Sequence, residues 1–199
     1  QGIGQITDVP SVAELVERNQ AMREQYLPQP TDQAWTATPP GCNTGDAITA
    51  GAEVGGALHL MAHSWGAPTL FVPKEEKYRA LFVERSLPGC LVVNARGERF
   101  VNESCPYPEF QQAMYADHAR SGNAIPAWIV FDSDFRRKYP IGPLPPGEAV
   151  PDERLRKSWL GAVYWKDATL EGSSAQIGID AAGLAAIVAR MNDFARTGV

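Results

Sequence analysis

The chain has 199 residues, of which 44% are hydrophobic and 21% are charged, and its formal net charge is −5. This composition is typical of a globular protein that is long enough for one sizeable core or two small ones. The acidic balance excludes the basic surface expected of a nucleic-acid or anionic-membrane partner, and no apolar run reaches the roughly 20 residues of a membrane span.

The first predicted element is a helix over "SVAELVERNQAMREQYL". It begins at a capping box formed by Ser11 and Glu14, its apolar positions recur at roughly helical spacing, and Pro28 ends it. The residues before it have neither the basic start nor the apolar centre of a signal peptide. We interpret residues 1–16, which open with Gln-Gly, as the remnant of a tag or of a trimmed chain.

A second helix is predicted over "NTGDAITAGAEVGGALHLMAH", with Asn43, Thr44 and Asp46 as candidate caps. The stretch is rich in small residues, and each glycine inside a helix costs about 1 kcal/mol relative to alanine. We therefore expect a closely packed neighbour on that face. A helix start of this kind can also hold an anion or sugar hydroxyls, although simple capping is the more common explanation.

Metal and dinucleotide signals in this part of the chain are weak. His59 and His63 stand four residues apart on the predicted helix, a spacing at which two imidazoles can share a metal ion. The chain has one other histidine, His118, and "HLMAH" lacks the glutamate of a zinc-protease motif, so we predict no metal. The glycines of "QGIGQIT" lack a preceding strand and the third glycine of a dinucleotide fingerprint.

From residue 74 onwards the pattern indicates strands. We predict strands over "YRALFVE", "CLVVN" and "ERFVN", the last two joined by a tight turn at "NARG". A helix over "PEFQQAMYADHA", a buried strand over "AWIVFD" and a proline-rich loop follow. The change near Pro73 predicts a domain boundary that separates residues 1–73 from residues 74–199.

Two helices are predicted near the end of the chain. "DATLEGSSAQIGID" indicates a short helix with a glycine stop. The last helix has Asp180 as its cap, an apolar face, and Gly198 as its end. The three cysteines, Cys42, Cys90 and Cys105, are scattered and odd in number, which argues against a disulfide framework and predicts a reducing, cytoplasmic location.

The stretch "GERFVNESCPY", residues 97–107, carries the most chemistry. The Tyr107 phenol is of a type that can donate or accept a proton. Asn102, Glu103 and Ser104 can fix a polar ligand or tie down the following loop, or they can simply cap the next helix with Tyr107 as a wedge. The residues alone leave both interpretations open.

Three stretches together resemble a known family. "NTGDAITAGAEVGGALHLM", "VERSLPGCLVVNARGERFVNES" with its following tyrosine, and "WKDATLEGSSAQIGIDAAGLAAIVARMNDFARTG" occur in the order found in the fumarate reductase and 3-ketosteroid dehydrogenase flavoproteins. The chain looks closest to the ketosteroid Δ1-dehydrogenase-like branch. The resemblance implies an α+β fold, in which residues 74–199 form the capping or catalytic domain and residues 1–73 are a helical remnant of the FAD-binding domain.

The resemblance also implies a cofactor and a reaction. FAD would be held by two groups of residues: Asn43, Thr44, Gly45 and Asp46 in the first domain, and Asn102, Glu103 and Ser104 in the second. Tyr107 stands where fumarate reductases have a catalytic arginine, which favours a neutral ketone over a dicarboxylate. The implied reaction desaturates a carbon–carbon bond next to a ketone, with Tyr107 handling the proton as base or relay and FAD taking the hydride.

The implied partners are a small apolar ketone, steroid-like, and the rest of the chain's own flavoprotein. Candidates for the apolar wall around the ketone are Trp65, Phe110, Met114 and Tyr115. The chain lacks the family's N-terminal dinucleotide fingerprint and its C-terminal segment with a further tyrosine, so we expect a fragment that is inactive alone.

Two alternatives remain open at this point. A fumarate-type or enoate reductase would need a cationic clamp for its carboxylate substrate, and Arg85 or Arg99 would have to supply it. A non-catalytic binding domain that kept the cap fold would fit the missing segments, although "NTGD" and "RFVNES" are both intact.

Overall fold

The structure is a computed structural model that describes residues 17, 21, 24–26, 45–75 and 79–198. The chain divides into two compact units, residues 1–64 and residues 65–199. The assignment of residues 1–73 and 74–199 to two flavoprotein domains remains a prediction. No helix in the described part of the chain is long and apolar enough to cross a membrane.

The first unit contains helix α1, Asp46–Glu53. Residues 17, 21 and 24–26 are also helical, as the sequence predicts, while the capping box lies outside the described residues. Helix α1 is shorter than predicted, because Gly55 and Gly56 end it in a Schellman motif. Gly55 has a φ of 84°, and its N–H donates to the carbonyl of Ala52, while the N–H of Gly56 donates to that of Gly51.

The early end of α1 overturns one expectation. His59 and His63 lie beyond the helix in an irregular, exposed segment, so the helical spacing assumed for them is wrong. Gly51, the glycine inside α1, would carry a Cβ with no atom within 4 Å, so the described residues do not show the close neighbour expected on this face. The described residues contain no group of three or more histidine, cysteine or acidic side chains that could hold a metal.

The second unit mixes helices with two small antiparallel sheets. One sheet pairs β1, Thr69–Leu70, with β2, Arg79–Ala80. The other pairs β3, Cys90–Val93, with β4, Trp128–Phe131. The helices are α2, Tyr107–Ser121; α3, Ser133–Lys138; α4, Leu170–Ile177; and α5, Ala181–Thr197, with short 3₁₀ helices at Glu84–Ser86 and Asp152–Arg154.

Most of these elements confirm the sequence predictions. The strands at "CLVVN" and "AWIVFD", the turn at "NARG", and helices α2, α4 and α5 with the Asp180 cap all form where predicted. "YRALFVE" pairs only at Arg79–Ala80 within the described residues and continues into a 3₁₀ helix. "ERFVN" is not a strand, because only Arg99 makes a bridge, to Val93, before the chain turns at Asn102.

Two apolar cores stabilise the second unit. The first lies around the proline-rich loop and comprises Leu81, Phe135, Ile141, Leu144, Leu155 and Tyr164. The second lies between β3 and α5 and comprises Leu91, Val93, Ile179 and Leu184. Leu91 and Val93 thus place β3 in the second core, and the polar segment of residues 97–107 follows this buried strand in the chain.

Candidate functional site

The polar run before α2 forms a tight turn that closes on itself. The Oδ1 of Asn102 accepts from the N–H of Ser104 at 3.0 Å, and its carbonyl accepts from the N–H of Cys105 at 3.1 Å. Pro106 is the N-cap residue of α2, and no side chain among the described residues caps this helix start. The alternative in which Asn-Glu-Ser caps the helix is therefore wrong, because Asn102 bonds within the turn and no side-chain cap forms at α2.

Glu103 anchors the turn to strand β3. The residue is 6% exposed, and its carboxylate accepts from the Val92 N–H at 2.9 Å and from the Arg99 Nη2 at 2.6 Å. The Arg99 Nε also lies 3.0 Å from both carboxylate oxygens. The hydrogen bond to Glu103 raises the pKa of the Arg99 guanidinium, so Arg99 stays protonated.

Arg85 holds the same turn from the other side. Its Nη1 donates to the Glu103 carbonyl, and its Nη2 donates to the Cys105 carbonyl at 2.8 Å. The guanidinium carbon lies 5.0 Å from the centre of the Phe110 ring. Arg85 is 4% exposed, so this cation is buried between the turn and helix α2.

Tyr107 is the first residue of α2 and is half-buried. Its ring meets the Phe82 ring edge-on, with 5.5 Å between centroids and 73° between planes. Phe82 is 52% exposed, so an apolar surface adjoins the phenol. A phenol beside an apolar surface, at a helix start whose preceding turn is anchored, is suited to exchange a proton with a neutral apolar molecule.

Sequence reasoning misses the roles of Phe82 and Arg85. Phe82 falls in a stretch that is typical of a strand, where an aromatic residue is ordinary. Arg85 enters the sequence interpretation only as a ligand for a carboxylate substrate. No sequence signal shows that an arginine will be buried against backbone carbonyls 18 and 20 residues away.

The four predicted wall residues are placed differently from one another. Trp65 is 88% exposed, whereas Phe110 is buried against Phe100, with 6.0 Å between ring centroids, and against Arg85. Met114 and Tyr115 are half-buried along α2. A groove of about 320 Å³ lies elsewhere, and none of the four lines it; its lining residues are Arg99, Phe100, Val101, Ile187, Arg190, Met191 and Phe194.

The predicted cofactor residues of the first unit are partly described. Asn43 and Thr44 lie outside the described residues. Gly45 is the N-cap of α1 with a φ of 79°, and Asp46 begins the helix and is exposed. Since glycine has no side chain to cap a helix, the first N–H groups of α1 are suited to donate to the oxygens of a polar ligand. In the second unit, the predicted cofactor residues Asn102 and Ser104 are exposed and Glu103 is buried.

The two cysteines that the structure describes are unsuited to nucleophilic chemistry. Cys90 and Cys105 are free thiols, and Cys42 lies outside the described residues. Burial, with the nearby charges of Glu103 and Asp132, raises the pKa of the Cys90 thiol to about 12. Burial likewise raises the pKa of Cys105. Both thiols therefore stay protonated at neutral pH and are poor nucleophiles.

Comparison with known proteins gives consistent matches. The family described as FAD binding domain matches residues 5–199. The 3-oxosteroid 1-dehydrogenase of Mycobacterium tuberculosis (strain ATCC 25618 / H37Rv) is 40% identical over 189 residues, which are 92% of this chain and 32% of that relative. The 3-oxosteroid 1-dehydrogenase of Mycolicibacterium smegmatis is 37% identical over 188 residues, with the same coverage of 92% and 32%.

A solved structure matches as well. The crystal structure of 3-ketosteroid Δ1-dehydrogenase from Sterolibacterium denitrificans in complex with 1,4-androstadiene-3,17-dione is 56% identical to this chain, with a TM-score of 0.82. The match covers 92% of this chain and 32% of that chain. The chain thus spans about a third of the length of the relatives it matches.

Proposed function

Since this chain belongs to the FAD binding domain family, we propose that it is part of an FAD-dependent dehydrogenase that desaturates a carbon–carbon bond next to a ketone, with a 3-ketosteroid-like substrate. The named relatives act on steroids, which supports the substrate class. Because the chain spans about a third of their length, we expect it to be inactive by itself.

The domain assignment is part of this proposal. Residues 74–199 would form the capping or catalytic domain, and residues 1–73 would belong to the FAD-binding domain. The partner of this chain would then be the remainder of its own flavoprotein. The match to the solved ketosteroid dehydrogenase covers 92% of this chain but 32% of that chain, which supports the remainder of a flavoprotein as the partner.

The anchored start of α2 carries the functional proposal. Tyr107 would handle the acidic proton next to the ketone at its phenol oxygen, either as the base or as a relay that passes its own phenolic proton on as it takes up the new one. Bound FAD would supply the acceptor for the hydride from the neighbouring carbon. The turn would present Asn102 and Ser104 to the cofactor, and Glu103, whose carboxylate is bound to Arg99 and Val92, would hold that turn in place. Trp65, Met114 and Tyr115 would contribute apolar wall, with Phe110 supporting it from the core.

The two arginines weigh against a carboxylate substrate. The reductase alternative requires Arg85 or Arg99 to bind a carboxylate. Arg85 is buried and donates to two backbone carbonyls, and Arg99 is paired with Glu103. Freeing either one would leave buried polar groups without partners, which favours the neutral ketone as substrate.

The first experiment measures FAD binding to the purified chain, by calorimetry and by the visible spectrum of the retained cofactor. The same assay is then applied to the protein encoded by the longest reading frame that contains this chain, followed by steroid-dependent reduction of a dye. We expect the longer protein to bind FAD and reduce the dye. A longer protein without flavin would overturn the proposal and favour the non-catalytic cap-fold domain.

Substitution of Tyr107 tests its assigned role. We expect Tyr107→Phe in the longer, flavin-loaded protein to lower kcat by about 10²- to 10⁴-fold while flavin binding is retained, because the proton acceptor is lost. Tyr139→Phe is the control, since Tyr139 packs against Phe135 at the end of α3. Equal kcat values for the two variants would exclude Tyr107 as the proton acceptor.

A further inference from the structure

We propose that Arg85 is a positioning residue for Tyr107, because it holds the backbone of the turn that precedes Tyr107 and contacts the ring of Phe110, which follows Tyr107. This inference rests on the proposed function, in which Tyr107 exchanges the proton. Arg85 is not offered as a catalytic residue, because its contacts are with the chain itself.

The first argument is the cost of burying this cation. Arg85 is 4% exposed, and among the described residues it forms no ion pair with a carboxylate, while its buried Nε has no hydrogen-bond partner. A buried charge without a counter-charge is expensive, and an apolar side chain would fill the same space without that cost. The presence of an arginine at this buried position is therefore best explained by the two backbone carbonyls that its forked N–H donors bind.

The second argument is the placement of its contacts along the chain. The carbonyls of Glu103 and Cys105, which Arg85 binds, lie four and two residues before Tyr107. The Phe110 ring, over which the guanidinium lies, is three residues after Tyr107 on α2. Arg85 therefore bridges the turn and the first helical turn of α2, with Tyr107 between the two contacts.

The third argument is the position of Arg85 next to Phe82. Phe82 contacts the Tyr107 ring directly, and Arg85 follows three residues later at the 3₁₀ helix Glu84–Ser86. One short segment thus contacts the ring of Tyr107 through Phe82 and holds the turn before Tyr107 through Arg85. Loss of the guanidinium would let the helix start shift relative to Phe82 and would misdirect the phenol.

Arg136 offers a matched control in the same unit. It is 7% exposed, and it donates to the carbonyls of Pro145 at 2.7 Å and Val150 at 3.0 Å. Its guanidinium carbon lies 5.8 Å from the centre of the Tyr164 ring. Arg136 therefore contacts backbone carbonyls and an aromatic ring as Arg85 does, but around the proline-rich loop, and it differs from Arg85 in also pairing with Asp152.

The first test uses this chain and requires no activity. Tyrosines are labelled with ¹³C at Cζ, and the Tyr107 resonance is identified by its loss in Tyr107→Phe. We expect Arg85→Met to shift and broaden this resonance, Arg85→Lys to restore it in part, and Arg136→Met to leave it unchanged. An unshifted Tyr107 resonance in folded Arg85→Met would overturn the proposal. If Arg85→Met does not fold, Arg85→Lys replaces it in the test, because lysine cannot bind both carbonyls in the same fork geometry. An unshifted Tyr107 resonance in Arg85→Lys would then overturn the proposal.

The second test uses the flavin-loaded protein from the longest reading frame and a ketosteroid deuterated at the carbon that loses the proton. We expect Arg85→Met to lower kcat about 10- to 100-fold, with little change in KM, because a misplaced phenol slows the proton step. The isotope effect on kcat should rise in Arg85→Met but not in Arg136→Met. An unchanged kcat and isotope effect in Arg85→Met would refute the positioning role.

The two tests separate this inference from the proposed function. A wild-type protein without dehydrogenase activity would refute the function, while the resonance of Tyr107 would still report whether Arg85 positions it. Conversely, the wild-type protein could be active while Arg85→Met leaves the Tyr107 resonance and the isotope effect unchanged. That result would retain the proposed function and refute only the positioning role of Arg85.

Discussion

At the residue scale, two buried charges fix one short turn by opposite means. Arg85 donates to carbonyls of the turn, whereas the carboxylate of Glu103 accepts from a strand N–H and from Arg99. Charge-assisted hydrogen bonds are stronger and more directional than apolar contacts. They are therefore suited to hold a functional side chain such as Tyr107 in one orientation.

The Glu103 anchor predicts a loss of stability on substitution. We expect Glu103→Gln to lower the free energy of unfolding by about 2 kcal/mol, because a charged acceptor for Arg99 and Val92 is replaced by a neutral one. Urea denaturation measures the change. Glu98→Gln is the control, since the Arg96–Glu98 pair is about half exposed and should contribute less than about 1 kcal/mol. Equal losses in the two variants would contradict the anchoring role of Glu103.

At the element scale, helix α5 docks on the turn that follows β3. The N–H of Asp180 donates to the Ala95 carbonyl at 3.0 Å, and a Cβ added at Gly183 would lie 2.0 Å from the Arg96 carbonyl oxygen. Because the obstructing atom belongs to the backbone, a side chain at Gly183 cannot be accommodated by a rotamer change. The two elements can approach this closely only because position 183 has no side chain.

The close approach predicts that Gly183→Ala destabilises the protein. We expect the free energy of unfolding to fall by about 1–3 kcal/mol, as in other overpacked contacts. Gly51→Ala is the matched control, because a Cβ there meets no atom within 4 Å and the change should favour helix by up to about 1 kcal/mol. Urea denaturation together with the circular dichroism of both variants measures the difference. A Gly183→Ala protein as stable as the wild type would show that α5 does not dock as described.

Also at the element scale, Asp152 links the end of the proline-rich loop to α3 and to Lys166. Its carboxylate accepts from Arg136 at 2.9 Å and from Lys166 at 2.7 Å. Burial by itself would raise the pKa of Asp152, but the hydrogen bond from Lys166 and the charge of Arg136 outweigh it, so this pKa lies below its ordinary value. A carboxyl group with a lowered pKa in the folded state stabilises the fold above its unfolded pKa, and that contribution is lost as the pH falls through the folded pKa.

The pKa of Asp152 predicts a pH-dependent stability difference. We expect Asp152→Asn to be less stable than the wild type at neutral pH, and this gap to narrow below about pH 4, where the carboxyl group becomes protonated. Urea titrations at a series of pH values measure the gap. Asp134→Asn is the control, because that side chain is 72% exposed and the gap should be small throughout. A gap that does not narrow in acid would refute the assigned role of the Asp152 charge.

At the scale of the whole molecule, the buried apolar side chains of the described residues all lie in the second unit. They extend from Val72 to Leu184, whereas no residue of helix α1 is buried. The second unit also contains both sheets and both cores. It therefore has what a domain needs to fold, namely a core of its own.

This distribution predicts that residues 65–199 fold without the first unit. We expect that shortened chain to unfold cooperatively in urea and to keep the well-dispersed amide spectrum of a folded protein, because its cores are internal. The full chain serves as the reference. A shortened chain with the spectrum of an unfolded peptide would show that the first unit is required for folding.

Sequence reasoning determines the local elements and the family. The caps at Asp180 and Gly198, the turn at "NARG" and the helix after Tyr107 are all predictable, because each depends on residues a few positions apart. The order of three motifs along the chain indicates the flavoprotein group without any knowledge of tertiary contacts. Two local predictions are wrong. "ERFVN" does not form a strand, and α1 is shorter than predicted, although Gly55 and Gly56 favour a helix end over a helix interior.

Only the tertiary structure decides how the site is held. The sequence does not show that Arg85 is buried against the carbonyls of the turn before Tyr107. Nor does it show that the carboxylate of Glu103 binds the backbone of β3. Hydrogen bonds within a turn or helix follow from neighbouring residue types, whereas these contacts join segments 11 to 20 residues apart. Their formation depends on the packing of β3 and α2, because a buried charge is stable only where the fold brings its partners to it.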